Sequence, residues 1–396
     1  MRKLRVGIWI PSNYRPELGG AYSYLNNLIN GLYLKEFVNS EIVFIAKQFP
    51  KDWKKQDKSY QIQTKEFQVP KKSKAIELWK KVLIKFNITP KTDSYYFEIK
   101  AIENKIVEEL KKIIDVIYYP TPPAENIDFP FIATLWDIGH RSSFSFPELS
   151  RKGIFEGRND YHETILQRAL MIFTESETGK KNVVEFLRIN EKRLKVVNLF
   201  PSELVEEECQ VKRPNMISTN EEFIHYPAQF WSHKNHFNLI RAFEIVSKSY
   251  PNLKLILTGS DKGNKEYIIR IIDDFCLKDQ ITVLDFVTNE ELKWIYKNSK
   301  GLVFPTLLGP TNMPLLEAQI LNCPVACSNF EGHMEQLGEY AKYFDPTDPD
   351  SIAKSIMQML TANPQNNSPL KYDIKNALTQ IEEGFEQVRN IRFCWD

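Results

Sequence analysis

Short apolar runs alternate with segments of helical periodicity along most of the chain. Arg5 to Ile10 (RVGIWI) is largely apolar and stops at Pro11, the pattern of a parallel strand buried on both faces. After a loop holding Gly19 and Gly20, the segment AYSYLNNLINGLYL places apolar residues at helical spacing. The chain therefore opens as strand, glycine-containing loop, helix. Glu41 to Ala46 (EIVFIA) predicts the next strand, and Val116 to Tyr119 (VIYY) and Phe131 to Leu135 (FIATL) predict two more. A lysine-rich, helix-prone insertion over about 48–110 separates them. A helix beginning at Glu163 leads into a strand at Met171 to Thr174, then a helix over Ser176 to Leu187, then a run from Leu194 to Leu199.

Residues 201–220 are polar, contain prolines and read as a linker, after which the pattern restarts. It runs through a strand at Phe223 to Tyr226, a helix from Asn238 to Ser249, strand LKLILTG and a helix near Tyr267. Strand ITVLDFV, helix EELKWIYKNS, strand GLVFP and helix PLLEAQIL follow. Two successive runs of alternating strands and helices predict an α/β fold of two Rossmann-like, doubly wound domains. Their expected limits are 1–205 and 206–378, with a closing segment, 379–396, returning to the first domain. In such sheets ligands bind beyond the carboxyl ends of the strands, here in the cleft between domains.

Composition narrows the class. The 396 residues are 42% hydrophobic and 26% charged with a formal net charge of +1, which gives no global argument for nucleic acid. From Lys47 to Lys81 lysines outnumber acids, so this stretch is either a solvated surface or a patch facing anionic lipid or an anionic acceptor. Five cysteines, odd in number and mostly far apart, argue against a disulfide framework and fit a reducing cytosol. The first twenty residues hold no apolar run long enough for a signal segment or a membrane span, so a cytoplasmic, at most peripheral, protein is expected.

Candidate chemistry gathers in the second half. In LLGPTNMPLLEAQILNCPV a Gly/Pro/Thr/Asn loop runs into a helix whose first turn suits Pro314. With Met313 as the cap, Glu317 is the fourth helical residue; with Asn312, the fifth. Neither is the third-position slot of a capping box. Glu317 reads either as a dipole-favourable acid near a helix start or as an acceptor for sugar hydroxyls. The N–H groups of that helix start make an anion site. Lys234, at a strand-to-helix junction in AQFWSHKNHFN, is placed to neutralise a phosphate; without such a ligand it is a surface lysine. His233 and His236 lack a third ligand nearby, and Cys323 and Cys327 read as packing residues, so no metal site is expected. Asp348-Pro349-Asp350 has the form of a metal-binding Asp-x-Asp but lies in a turn leading to a helix cap. A P-loop and a GxGxxG are both absent, leaving nucleotide hydrolysis and dinucleotide redox chemistry without support.

These segments carry a family resemblance. GLVFPTLLGPTNMPLLEAQILNCPVACSN resembles the donor-binding signature of the family-4 retaining glycosyltransferases of GT-B fold, in a branch with a GPTN loop. HYPAQFWSHKNHFNLIRAF, VTNEELKWIYKNSKGLVFPT and GHMEQLGEYAKYFDPTDPDSIA resemble neighbouring segments of the same family. ELGGAYSYLNNLINGL and TLWDIGHRSSFSFPE extend a weaker likeness into the first half, so that most of the chain except roughly 48–110 is covered.

The resemblance implies roles position by position. Two family glutamates separated by seven residues fall on Gly309 and Glu317, so the sugar-facing acid is missing and Glu317 is implied as the ribose ligand. Backbone N–H groups around Thr311 to Met313, with Asn312, are implied to meet the sugar and diphosphate instead. The family's basic pair is reduced to Gln229 and Lys234, leaving Lys234 to neutralise the diphosphate alone. Glu335 is implied either as a cap or support or as a direct contact. In the first domain Gly19 and Gly20 match the loop that approaches the diphosphate, where glycine permits close backbone approach. The family's His-Asp pair falls on Trp136-Asp137, and His140, three residues on, is implied to serve near the acceptor.

The activity implied by the resemblance is that of a retaining glycosyltransferase. It would move a sugar from a nucleotide sugar to a glycan or lipid-linked acceptor in surface polysaccharide or glycoconjugate synthesis. Such an enzyme needs no metal or other cofactor and no protein nucleophile, because the leaving phosphate helps to remove the acceptor proton. Two readings compete. The substitutions at Gly309, Gln229 and Trp136 suit a non-catalytic sugar-nucleotide-binding or scaffold protein. A nucleotide-sugar epimerase of related architecture would act without an acceptor.

Overall fold

The computed structural model describes residues 2–12, 14, 20–51, 53–62, 105–143, 145–362 and 372–395. Gly19 and most of the lysine-rich insertion lie outside these residues. The first sheet holds seven parallel strands: β1 (Leu4–Trp9), β2 (Ser40–Ala46), β3 (Ser59–Gln61), β4 (Val116–Tyr119), β5 (Phe131–Leu135), β6 (Met171–Thr174) and β7 (Leu194–Val196). Their spatial order is β3-β2-β1-β4-β5-β6-β7. The second holds six: β8 (Phe223–Pro227), β9 (Lys254–Thr258), β10 (Ile281–Leu284), β11 (Gly301–Phe304), β12 (Val325–Ser328) and β13 (Ala341–Phe344), in the order β10-β9-β8-β11-β12-β13.

Successive side chains of a strand point to opposite faces, and here each face has its own core. Leu4, Val6 and Ile8 of β1 pack on one side with Phe44, Tyr118 and Ile132, while Trp9, Ile45, Ile117, Tyr119 and Ala133 pack on the other. Burial on both faces is why these strands read as continuous apolar runs. Each fully buried aliphatic side chain contributes about 1.5–3 kcal/mol of transfer free energy.

The order in which strands are added reverses between β1 and β4 in the first sheet and between β8 and β11 in the second, so each sheet opens a crevice at its carboxyl edge. Helix α1 (Gly20–Leu34) begins above the first crevice. Further helices used below are α2 (Glu177–Leu187), α3 (His236–Ser249), α4 (Lys265–Asp274), α5 (Asn289–Asn298), α6 (Met313–Ile320), α7 (Glu331–Leu337), α8 (Pro349–Thr361) and α9 (Ile374–Arg392).

Several expectations shift. The helical stretch expected from Glu163 begins at Ile154 and passes through a wide π-type turn at Tyr161–Ile165 before ending at Arg168. Its first seven residues bury no side chain, so they show no apolar stripe from which a sequence can announce a helix. α3 starts at His236 rather than Asn238 because Asn235 takes a left-handed conformation (φ 60°) and its amide donates to the Pro305 and Pro346 carbonyls. The 201–220 stretch is not a free tether: Leu204 and Ile217 are buried, and Asn26 Nδ2 donates to Glu203 Oε1 at 2.8 Å. Strands β3, β12 and β13 and helix α7 have no counterpart among the elements expected from the sequence, and the closing segment expected over 379–396 is part of a helix, α9, that starts at Ile374. α9 lays Ala377, Leu378, Ile381, Phe385 and Val388 into the core of the first domain, beside α1. Among the described residues no helix is long and apolar enough to cross a membrane.

Candidate functional site

The two crevices face each other across a cavity of about 320 Å³ lined from both domains. Gly20, Tyr24, Trp136, Asp137, Glu175 and Leu199 come from the first domain; His233, Lys234 and residues 308–314 come from the second. A second cavity of about 520 Å³ shares Gly20 and is walled by Ala228, Gln229, Gly259, Asp285, Phe286 and Leu292. Together they form a groove of the size that small ligands occupy.

Helices α1 and α6 both begin at the first cavity, and neither carries an acidic residue in its first turn. Their free N–H groups leave a positive potential there. Asn312 is the α6 N-cap residue, so Glu317 is the fifth helical residue, yet the Asn312 side chain makes no capping bond to the helix. It is held elsewhere. His333 Nδ1 lies 2.9 Å from the Ser328 carbonyl, which fixes Nδ1 as the donor and leaves Nε2 to accept from Asn312 Nδ2 at 2.9 Å. Asn312 Oδ1 is thereby turned toward Lys234 Nζ, 3.4 Å away. Gln336 grips the Asn312 backbone, accepting from its N–H at 2.9 Å and donating to its carbonyl at 3.2 Å.

Lys234 has little else to bind: its Nζ stands over the Phe304 ring at 5.4 Å. Burial pushes its pKa down to about 8, against the opposing pull of Asp137. Asp137 is the other strong charge. Burial alone would raise its pKa, but Arg158 at 2.6 Å and the Gly139 N–H at 2.7 Å hold it below the usual carboxylate range. His233 is neutral, pushed down to about 4 by burial and then by the Lys234 charge, and its N–H and Nδ1 both lie against Glu148 Oε1 of the first domain.

The loop before α6 has two geometric requirements. Gly309 has φ +107°, a backbone region that L side chains rarely adopt, although a Cβ there would meet nothing nearer than 3.4 Å. A side chain at position 309 would therefore be opposed by the backbone conformation rather than by lack of space. At Gly332 in α7 a Cβ would stand 1.6 Å from the Pro310 carbonyl oxygen, so only glycine lets the loop rest on that helix.

The structure thus gathers Gly20, Asp137, Lys234, Gly309, Thr311, Asn312 and Met313 at one cavity, with Gln229 at the adjoining one. Three other candidates stand apart. Glu317 is 4% exposed and lines neither cavity; it accepts hydrogen bonds from Ser202 Oγ and from Tyr296 OH at 2.9 Å, tying the 201–220 stretch to α5. Burial raises its pKa, against the lowering effect of these two hydroxyls. His140 is fully buried behind Asp137, its Nε2 at 3.0 Å from Asn159 Oδ1 and its ring 4.9 Å from that of His162. Glu335 accepts from the Glu177 and Thr178 N–H groups, each at 2.9 Å, so a carboxylate of the second domain caps α2 of the first. His333, Gln336, Glu148 and Glu175 are not among the residues that the sequence singles out. His233 and His236 do not approach a common point, since His236 stacks on Phe230 at 4.5 Å. Among the described residues no group of three or more His, Cys, Asp or Glu is placed to hold a metal ion.

Residues 210–376 match the family model described as Glycosyl transferases group 1. The chain is 27% identical over 217 residues to the O-antigen chain mannosyltransferase RfbU of Salmonella typhimurium, covering 53% of this chain and 58% of that protein. It is 28% identical over 131 residues to the O-antigen chain mannosyltransferase B of Escherichia coli, 32% of this chain and 34% of the other. The chain thus spans between a third and three fifths of the length of these curated relatives. Among solved structures, a glycosyltransferase from Rickettsia africae superposes with a TM-score of 0.60 at 13% identity, over 99% of this chain and 98% of that one. Anabaena HepE in complex with UDP and glucose superposes with a TM-score of 0.64 at 15% identity, over 97% and 99%. With the two parallel sheets, these likenesses show a GT-B fold.

Proposed function

We propose that this GT-B protein is a retaining glycosyltransferase, taking a sugar from a nucleotide-sugar donor to a glycan or lipid-linked acceptor in surface polysaccharide synthesis. The observation that carries the reading is the setting of Lys234. An ammonium with one long hydrogen bond stands in an interdomain cavity where two helix N-termini converge. A leaving diphosphate would complete this arrangement, gaining charge as the glycosidic bond breaks while Lys234 and the helix N–H groups meet it. The match of residues 210–376 to group 1 glycosyltransferases and the mannosyltransferase relatives support the same assignment.

In this reading the nucleoside lies in the larger cavity beside Gln229 and the sugar lies against Thr311 and Asn312. Asp137, ionised and also lining a neighbouring pocket with Arg158 and His162, borders the acceptor. His140 supports Asp137 from behind, and Glu317 acts through the packing of α5 and the 201–220 stretch. Front-face attack needs no protein nucleophile and no metal ion, because the departing phosphate takes the acceptor proton.

Nucleotide sugars differing in base and sugar should include at least one that raises the melting temperature, since a ligand bound only to the native state stabilises it. With that donor and a lipid-linked glycan, nucleoside diphosphate should be released in an acceptor-dependent way, unaffected by chelator, and the product should keep the donor's anomeric configuration. Failure of every donor to bind would sink the assignment. Binding without transfer to any acceptor would leave a sugar-nucleotide-binding protein.

A further inference from the structure

We propose that the carboxyl of Glu175 is a donor-sugar contact, hydrogen-bonding a hydroxyl of the transferred sugar and supplying from the first domain the acid that the loop of the second domain lacks at Gly309. The proposal rests on the donor reading above.

Glu175 follows β6 and precedes Ser176, the residue that caps α2. Its carbonyl accepts from the Leu199 N–H at 3.2 Å, which pins the backbone between β6 and the segment after β7. The side chain is 6% exposed and lines the interdomain cavity. Oε1 has one long bond, from Ser176 Oγ at 3.4 Å, and Oε2 has no partner. Among the described residues, Oε2 is the one unpartnered buried side-chain oxygen or nitrogen belonging to a residue that lines this cavity.

A buried acid left half-satisfied is costly in a folded core, and an apolar side chain would fill the same space without that cost. The surroundings nonetheless keep room for it. A Cβ at Gly179 would stand 2.7 Å from Oε1. Behind the carboxyl, bounded in part by Gly179, Asn182 and Pro310, the free volume is only about 10 Å³, space for one water at most. The side chain also lines the interdomain cavity.

Chemistry separates this acid from Asp137. Glu175 forms no ion pair among the described residues, and burial, followed by the negative charges of Asp137 and Glu335, raises its pKa well above the carboxylate range. Burial thereby favours its protonated form, which offers an O–H donor and a carbonyl-type acceptor, the pair that a sugar hydroxyl uses at once. Asp137, ionised and held by Arg158, can only accept. The Gly309–Pro310 loop lines the same cavity, and its backbone supplies no acid. Specificity results, because a site built to hydrogen-bond one hydroxyl discriminates against a sugar lacking it.

The test uses the full chain, a panel of UDP-, GDP-, dTDP- and ADP-sugars with the matching free nucleoside diphosphates, and the variants Glu175→Gln and Glu175→Met. Gln keeps a neutral donor and acceptor; Met keeps the volume without either. Glu175→Gln should bind the preferred nucleotide sugar within about threefold of the parent, whereas Glu175→Met should lose about tenfold. Both variants should bind the free nucleoside diphosphate like the parent. Equal losses for sugar and free diphosphate, no loss in Glu175→Met, or a Gln variant as weak as the Met variant would overturn the proposal while leaving the donor reading intact. If Glu175→Met does not fold, donors lacking one hydroxyl at a time decide against the parent protein. One of them should lose about tenfold, and uniform affinity across them overturns the contact. A parent chain that binds neither nucleotide sugars nor nucleoside diphosphates ends the donor reading itself.

Discussion

Burial holds the Lys234 amine at about 8, and a bound diphosphate would favour its charged form. That difference sets the sign. Below about 8 the free protein already carries the proton the complex needs; above it, binding must first recover one. Donor affinity is therefore expected to be level from pH 6.5 to 7.5 and to fall as pH rises through 8, by up to tenfold per unit. Isothermal titration of the preferred donor across pH 6.5–9.5 checks this, with Lys234→Met expected to bind weakly and without that slope. Lys234 was legible in the sequence because a strand-to-helix junction in a parallel sheet dictates where its residues point, whereas Thr311 and Asn312 entered through the family resemblance of their loop. Glu317 was not: its partner Ser202 lies 115 positions away, and no local pattern announces that a buried hydroxyl will claim the carboxylate. His333 escaped for the same reason, since its value lies in the amide it orients, not in its own neighbourhood.

Helices fix this site chiefly by their ends and their contacts. The starts of α1 and α6 supply N–H groups, α7 carries the loop of residues 308–312, and α2 is capped by Glu335 from the opposite domain. The apolar runs of β4 and β5 predict their observed bounds because burial on both faces leaves no polar interruption. The stretch from Ile154, with no buried residue, carries no such signal. Contact between α7 and the loop makes Gly332 a sensitive position. Gly332→Ala must push the Pro310 carbonyl away, an overpacking that costs about 1–3 kcal/mol. The expected result is a protein that still folds but melts lower, with donor affinity reduced, measured by thermal unfolding beside donor titration. An alanine variant that binds donor like the parent would separate the loop from the site.

At the scale of the molecule, α9 follows the second domain and packs its apolar face beside α1, β2 and β7. Arg389 Nε donates to the Arg2 carbonyl at 3.3 Å, and Arg392 Nε donates to that of Asp115 at 3.1 Å. The core holding Leu4, Val6 and Ile8 thus needs residues 374–392 to close, whereas among the described residues the main core of the second domain draws on residues 204–360. A fragment ending near residue 205 should expose that apolar face and aggregate. A fragment spanning 202–362 should unfold cooperatively alone, as followed by calorimetry and sedimentation. During synthesis the second domain can therefore complete itself as soon as it leaves the ribosome, while the first waits with one face open. The cleft consequently assembles last, and no donor can be held before residues 374–392 have been made and docked.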